Sequence, residues 1–240
     1  MLAAAAVCPC PPLLVPEVAA GAAPEMDAAR AACVDALGVL AAARPDLLVV
    51  VGATGPSEDG RDGPYAEGAY GSFRGFGVAL DVRLGRDTGA GSGRPLPLSL
   101  AVGAWLLERT GWSDAPVEGL AVAGTLPAAR CAEAGREIAA RSGRVALLVM
   151  GDASACRSVK APGYLDDRAE PFDAAVARAL GAADVAALQA LDVETASALK
   201  AAGRAPWQVL AGAAEVAGLS GALLHDDAPY GVGYLVATWS

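Results

Sequence analysis

One histidine, His225, is all the imidazole in this 240-residue chain, so any mechanism that needs two imidazoles is excluded. Aromatic residues are also scarce at 5%. The 54% apolar content therefore rests largely on alanine, and positive hydropathy is no sign of membrane residence. No apolar run reaches the roughly 20 residues of a spanning helix, so no membrane partner is expected. Basic residues are outnumbered, 18 Lys and Arg against 27 Asp and Glu, for a net charge of -9. Without a basic stripe to displace counterions, nucleic acid is not expected as a partner.

The five cysteines (Cys8, Cys10, Cys33, Cys131, Cys156) form no CxxC and have no second CxxC or HxxxH to complete a zinc site. An odd number of scattered thiols suits a reducing cytosol. The opening MLAAAAVCPCPPLLV imitates the apolar part of a signal peptide, but no Lys or Arg precedes it and prolines interrupt it. It reads as a buried first strand of a cytoplasmic protein, with Cys8 and Cys10 expected on opposite faces and unable to chelate one ion as a simple pair, one thiol packed inward and the other reaching the strand end.

What is present is an alternation of short apolar runs and helical periods. Leu2 to Val7, a helical stretch from Pro24 to Ala43, and Leu47 to Val51 read as strand, helix, strand, the spacing of a parallel crossover. Gly52 to Gly75 has no helical period and reads as a long loop, mobile or functional. Gly77 to Leu84 alternates as a strand, the glycine-rich Gly85 to Arg94 as a flexible linker, and Leu98 to Arg109 as a helix. Gly119 to Ala123 and Val145 to Met150 are buried strands around a helix at Pro127 to Ser142. Four helical segments follow (Arg168 to Leu180, Asp184 to Leu191, Val193 to Ala202, Pro206 to Ala217), then two strands, Gly221 to Asp227 and Gly231 to Trp239. No repeat or interdomain linker interrupts this pattern. The expected fold is α/β: a single domain over residues 1–240, a three-layer α/β/α sandwich with a mostly parallel, mixed central sheet.

Ligands of such sheets collect at the carboxyl ends of the strands. The segments there are Cys8-Pro9-Cys10-Pro11, Gly52-Ala53-Thr54-Gly55, Gly151-Asp152-Ala153-Ser154-Ala155 and His225-Asp226-Asp227. His225 beside two aspartates is either a ligand or base, or a hydrogen-bonded surface residue. Ser154 precedes His225 in the order of one hydrolase triad, but GDASA lacks the second glycine of the G-x-S-x-G elbow, leaving a serine hydrolase a remote alternative. GAGSGR (Gly89 to Arg94) lacks the Lys-Ser/Thr of a phosphate loop and reads as a linker. Arg157, Ser158, Lys160 and Tyr164 either hold a ligand carboxylate or phosphate, or are loop charges paired with Asp166 and Asp167. The acidic Glu58, Asp59 and Asp62 read as a solvated loop.

Four strings, AVCPCPPLLVPE, LLVMGDASA, KAPGYLD and DDAPYGVGYLVATW, carry a resemblance over nearly the whole chain. They resemble the class III extradiol ring-cleavage dioxygenase catalytic subunits, the LigB-like proteins, in an actinobacterial-type branch, with the Memo proteins as more distant relatives. The resemblance implies a ferrous site of two histidines and a carboxylate, which leaves positions open for a catecholate and oxygen. It also implies a further histidine as acid and base. Here the first histidine slot holds Cys10, the second falls near Thr54, and the acid-base slot holds Ala155; Asp152 and Ser154 keep the G-D-x-S frame, and Asp226 or Asp227 stands near the carboxylate.

Two readings follow. In the first, the ferrous site is lost or rebuilt and the strand-end cleft binds a small molecule or partner, with Thr54, Arg157, Lys160, Tyr164 and Tyr230 around it. In the second, a metal-dependent extradiol-type dioxygenase or oxidoreductase acts on a catechol-like substrate, with Asp152, Ser154 and His225 in catalysis. Its divalent metal would sit on Cys10, His225 and Asp226, a set more compatible with zinc or copper than with iron. Related dioxygenase subunits often form dimers, so a homodimer is one assembly open to the chain.

Overall fold

The computed structural model describes residues 1–55, 57–58, 60–89 and 93–240. Asp59 of the acidic run and Ala90 to Ser92 of GAGSGR lie outside the described residues. The main sheet has seven strands in the order β3-β6-β2-β7-β1-β9-β8. They are β1 (Leu2–Cys8), β2 (Leu47–Thr54), β3 (Gly63–Tyr65), β6 (Val117–Ala123), β7 (Val145–Met150), β8 (Gly221–Asp227) and β9 (Tyr234–Trp239). The four central strands β6, β2, β7 and β1 run parallel, while β3 and β9 join antiparallel at either side and β8 pairs antiparallel with β9. All six residues of β7 (VALLVM) are buried, as parallel strands covered on both faces require.

Helices form the two outer layers. On one face lie α2 (Asp27–Ala42) and α3 (Leu98–Thr110), whose Leu37, Leu40, Leu100 and Trp105 pack on Ala4, Val50, Leu148 and Val236. On the other lie α4 (Ala128–Ala139), α5 (Ala169–Gly181) and α8 (Arg204–Ala214), with Ile138, Val176, Leu180 and Trp207 against Val49, Leu147, Val149 and Leu235. Short helices α1 (Pro16–Ala19), α6 (Val185–Gln189) and α7 (Val193–Ala198) fill connections, and the Asp184 and Asp192 carboxylates cap the last two by accepting from Ala187 and Thr195 N–H. The architecture is therefore the α/β sandwich with a mixed, mostly parallel sheet.

Two expectations change. Gly52 to Gly75 is not one featureless loop: it contains β3 and β4 (Tyr70–Ser72). The alternating run from Gly77 keeps only β5 (Asp81–Arg83) as strand, and β5 pairs with β4 in a separate two-stranded sheet over α3 rather than joining the main one. The period-two alternation was satisfied locally, with Val82 buried between exposed Asp81 and Arg83.

Close approach on the second face is set by glycine. A Cβ on Gly135 of α4 would collide with the Val209 carbonyl of α8, and one on Gly212 with the Ala132 backbone, so the two helices meet backbone to backbone. A Cβ on Gly151 would likewise strike Gly203, where the chain enters α8 and the Gly203 N–H donates to the Asp152 carbonyl at 2.8 Å. That contact holds the end of β7 against the start of α8.

Candidate functional site

The carboxyl ends of β1 and β7 and the first residue of β9 lie side by side in the sheet. They bring together Cys10, Asp152 and Tyr234. Cys8 and Cys10 belong to the same core layer, not to opposite faces as expected, because residues two apart in a strand share a face. Cys8 is fully buried against Cys33, a contact that together with burial raises its thiol pKa. Cys10, beyond the strand end, is 7% exposed, and its N–H donates to Asp152 Oδ1 at 2.7 Å.

Asp152 is half-buried. Protein packed around its carboxylate pushes its pKa up to about 7, against the pull of the Cys10 N–H, which favours the ion. Burial also pushes the Cys10 thiol well up, and the carboxylates of Asp152 and Glu58 add to it. Tyr234 is 3% exposed. Its pKa is raised by burial first, then by Asp152, Cys10 and Tyr230. Tyr230 extends the group: its hydroxyl is enclosed and lies by the Glu25 carboxylate, which raises its pKa, yet it makes no hydrogen bond among the described residues. A proton donor and acceptor poised near neutrality thus sits between a protonated thiol and a protonated phenol.

Glu58 corrects the reading of the acidic run as solvated. Its carboxylate accepts from Gly55 N–H at 2.7 Å and from Leu98 N–H at 2.8 Å, so it tethers the loop after β2 to the amino terminus of α3, where the helix dipole favours a negative charge. Thr54 ends β2 and is half-buried, its hydroxyl 3.5 Å from the Val122 carbonyl.

The other expected residues are placed elsewhere. Ser154 is fully buried; its N–H and hydroxyl both donate to the Asp173 carboxylate of α5, each at 2.8 Å. It pins the loop after β7 to α5 and is not presented to a substrate. Ala155 is 8% exposed. Arg157 does not pair with Asp166 or Asp167: its guanidinium reaches Asp173 at 3.5 Å and Glu170 at 3.7 Å. Asp166 is instead taken by the fork of Arg168, two residues away, which holds its pKa down to about 2. Lys160 is exposed, and Tyr164 is 64% exposed.

His225 lies in the edge strand β8 opposite Val236, and β9 separates it from β1, roughly 10 Å across two strand spacings. Asp226 stands opposite Leu235, a residue of the α5 layer, whereas Val236 belongs to the α2 layer. His225 and Asp226 therefore address opposite faces, and Asp226 lines a groove with Arg178 and Leu223. Cys10, His225 and Asp226 are not gathered, and among the described residues no three His, Cys, Asp or Glu side chains converge as metal ligands. The strand-end donors, one thiol and one carboxylate without imidazole, do not fit a ferrous centre.

Two surface grooves lie away from this cluster. One, of about 520 Å³, runs between the β4–β5 hairpin and α3, past Tyr70, Arg74, Asp81 and Glu108; the other is that of Asp226. The first is lined by exposed groups that already satisfy one another, as in the Arg74–Asp81 ion pair at 2.9 Å. In the strand-end cluster the enclosed Tyr230 hydroxyl has no hydrogen-bond partner among the described residues, and such a group is what a ligand can reward.

Tyr234 was not singled out from sequence, and Glu58 was read only as part of a solvated acidic run. Tyr234 stands in the string DDAPYGVGYLVATW, inside the run Gly231 to Trp239 read as a strand; that it opens β9 beside β1 is set by the sheet.

No protein-family model and no curated protein matches the chain. Among solved structures it is similar to an uncharacterised Escherichia coli K12 protein, JW3007, at 14% identity and a TM-score of 0.51, with 99% of each chain covered. At that identity the likeness shows the fold alone. Among the described residues no helix is long and apolar enough to cross a membrane.

Proposed function

We propose that this chain is a LigB-like relative of the class III extradiol dioxygenases whose ferrous centre has been lost, and that the strand-end cluster binds a small molecule in its place. The observation that carries the reading is the gathering of Cys10, Asp152 and Tyr234 at the ends of β1 and β7, with the Asp152 carboxylate joined to the Cys10 N–H in a largely buried setting. Burying a carboxylate costs free energy that one backbone N–H does not fully offset, and a ligand's hydrogen bonds recover part of it. Cys10 stands in the slot of the first metal-binding histidine, Thr54 near the second and Ala155 in the acid-base slot, so neither iron ligation nor the proton transfer of ring cleavage has its residues. The metal-dependent alternative on Cys10, His225 and Asp226 has no comparable support in the geometry.

Five buried thiols, all free, suit a cytoplasmic setting. The test is a fragment screen on ¹⁵N-labelled protein. Small polar fragments are expected to shift the Cys10 amide, whose hydrogen bond to Asp152 reports on the site; fragments that shift only residues of the β4–β5 or α5–β8 grooves would overturn the assignment.

A further inference from the structure

The two edges of the main sheet are finished differently. At one edge β3 is three residues long and holds Pro64, which has no N–H to offer a further strand. Arg94 closes what remains: its guanidinium donates to the carbonyls of Gly60, Asp62 and Pro64 at 3.0, 2.7 and 3.2 Å and lies over the Tyr65 ring. At the other edge β8 runs for seven residues, GALLHDD, without Lys, Arg or Pro. None of them is buried, and Leu223 and Leu224 are 40% and 41% exposed. Among the described residues only β9 hydrogen-bonds to the β8 backbone. A strand left open in this way is a template for another.

A bulge at Leu224 decides which side chains a neighbour would meet. Leu223 and Asp226 stand opposite Ala237 and Leu235 of the α5 layer, while His225 and Asp227 stand opposite Val236 and Tyr234 of the α2 layer. On the α5 side, Leu223 and Asp226 line a groove of about 630 Å³ with Arg178, kept open by the small residues Ala174, Ala177 and Gly181. Arg178 and Asp226 are both exposed, and among the described residues neither is in an ion pair.

We infer that β8 pairs antiparallel with β8 of a second copy of this chain, about a two-fold axis normal to the sheet, so that two main sheets join into one. Such an axis keeps both α5 helices on the same face. The register that matches faces and brings opposite charges together sets Leu223 against the partner's Asp226 and Ala222 against the partner's Asp227. One strand spacing, about 4.8 Å, then separates each Asp226 from the edge of the groove that holds the other copy's Arg178, and symmetry makes the contact twice. The two Asp226 are offset by three residues, about 10 Å along the strands, a separation at which salt screens exposed charges. A parallel neighbour would stack the aspartates on one another, and like charges placed opposite destabilise a strand pair. The charge pattern thus selects the antiparallel copy, since the acid of each β8 finds its base beside the other. This pairing does not depend on what the strand ends bind.

The test is sedimentation of the full chain over a dilution series, with hydrogen exchange measured at its two ends. The parent is expected to sediment at twice the chain mass and to dissociate on dilution, with the β8 amides exchanging more slowly in the dimer. Arg178→Asp and Asp226→Arg should each weaken the dimer about tenfold or more, because each sets like charges face to face, and the two together should restore it. Leu223→Lys, which puts a charge in the pairing edge, should leave a monomer with an unchanged far-ultraviolet spectrum. A parent that is monomeric throughout the series would overturn the inference, as would a dimer that survives both single charge reversals or leaves the β8 amides unprotected.

Discussion

Asp152 links the proposed site to the stability of the fold. Its carboxyl is raised from about 4 in an unfolded chain to about 7 in the folded one. Between those values the folded state holds a proton the unfolded state has released, so stability from this group is full below pH 4 and lost as pH rises through 7. Asp152→Asn should flatten that slope and make the protein more stable at pH 8, by ~2 kcal/mol once solvent reaching the half-exposed carboxylate is allowed for. Urea unfolding of both proteins at pH 5 and pH 8 checks it; a variant with the parent's pH slope would count against the shift. Ser154→Ala tests the opposite kind of residue. It removes the hydroxyl that donates to Asp173, which is 2% exposed, and should cost about 1–3 kcal/mol while the Cys10 N–H keeps its hydrogen bond to Asp152. At this scale the sequence showed Cys10 and Asp152, because each directly follows an apolar strand. It could not show that Ser154 turns to Asp173 nineteen residues on, or that Tyr234 closes the group, since both depend on how distant segments meet.

Among elements, the α4–α8 contact and the start of α3 govern how the strand ends are presented. The two glycines let α4 and α8 touch, and α8 in turn places Gly203 on Asp152. Gly212→Ala should force the helices apart and cost about 1–3 kcal/mol, as overpacking does. Thermal unfolding measures it, and an unchanged midpoint would show that the helices can shift freely. At α3 the anchor is Glu58: losing its two backbone hydrogen bonds in Glu58→Ala should cost roughly 1 kcal/mol and loosen the loop after β2, read as faster hydrogen exchange at Gly55 and Leu98. The central strands and long helices were legible because their apolar runs and helical periods point one way. Strands β3 and β4, of three residues each, were not, since so few residues carry no period, and the alternation that marked β5 could not show that it pairs with β4 outside the main sheet.

The whole molecule is an acidic α/β sandwich with four parallel strands at its centre, whose parallel ends meet loops from both layers. Chain reversal at β6, which sends the next strand back between β2 and β1, places Asp152 at the middle of that edge, where open sheets of this kind bind ligands. Fold class was legible from the alternation of elements; the edge position of His225 was not, because strand order is a property of the whole sheet. An imidazole two strands from Cys10 leaves the centre of the edge with a thiol, a carboxylate and a phenol. The direct test of the account is to reconstitute the protein anaerobically with ferrous iron, remove the excess, and follow oxygen uptake on adding catechol. The predicted result is far less than one iron retained per chain and no uptake above the metal-free control. One iron per chain, with oxygen uptake lost in Cys10→Ala, would contradict it.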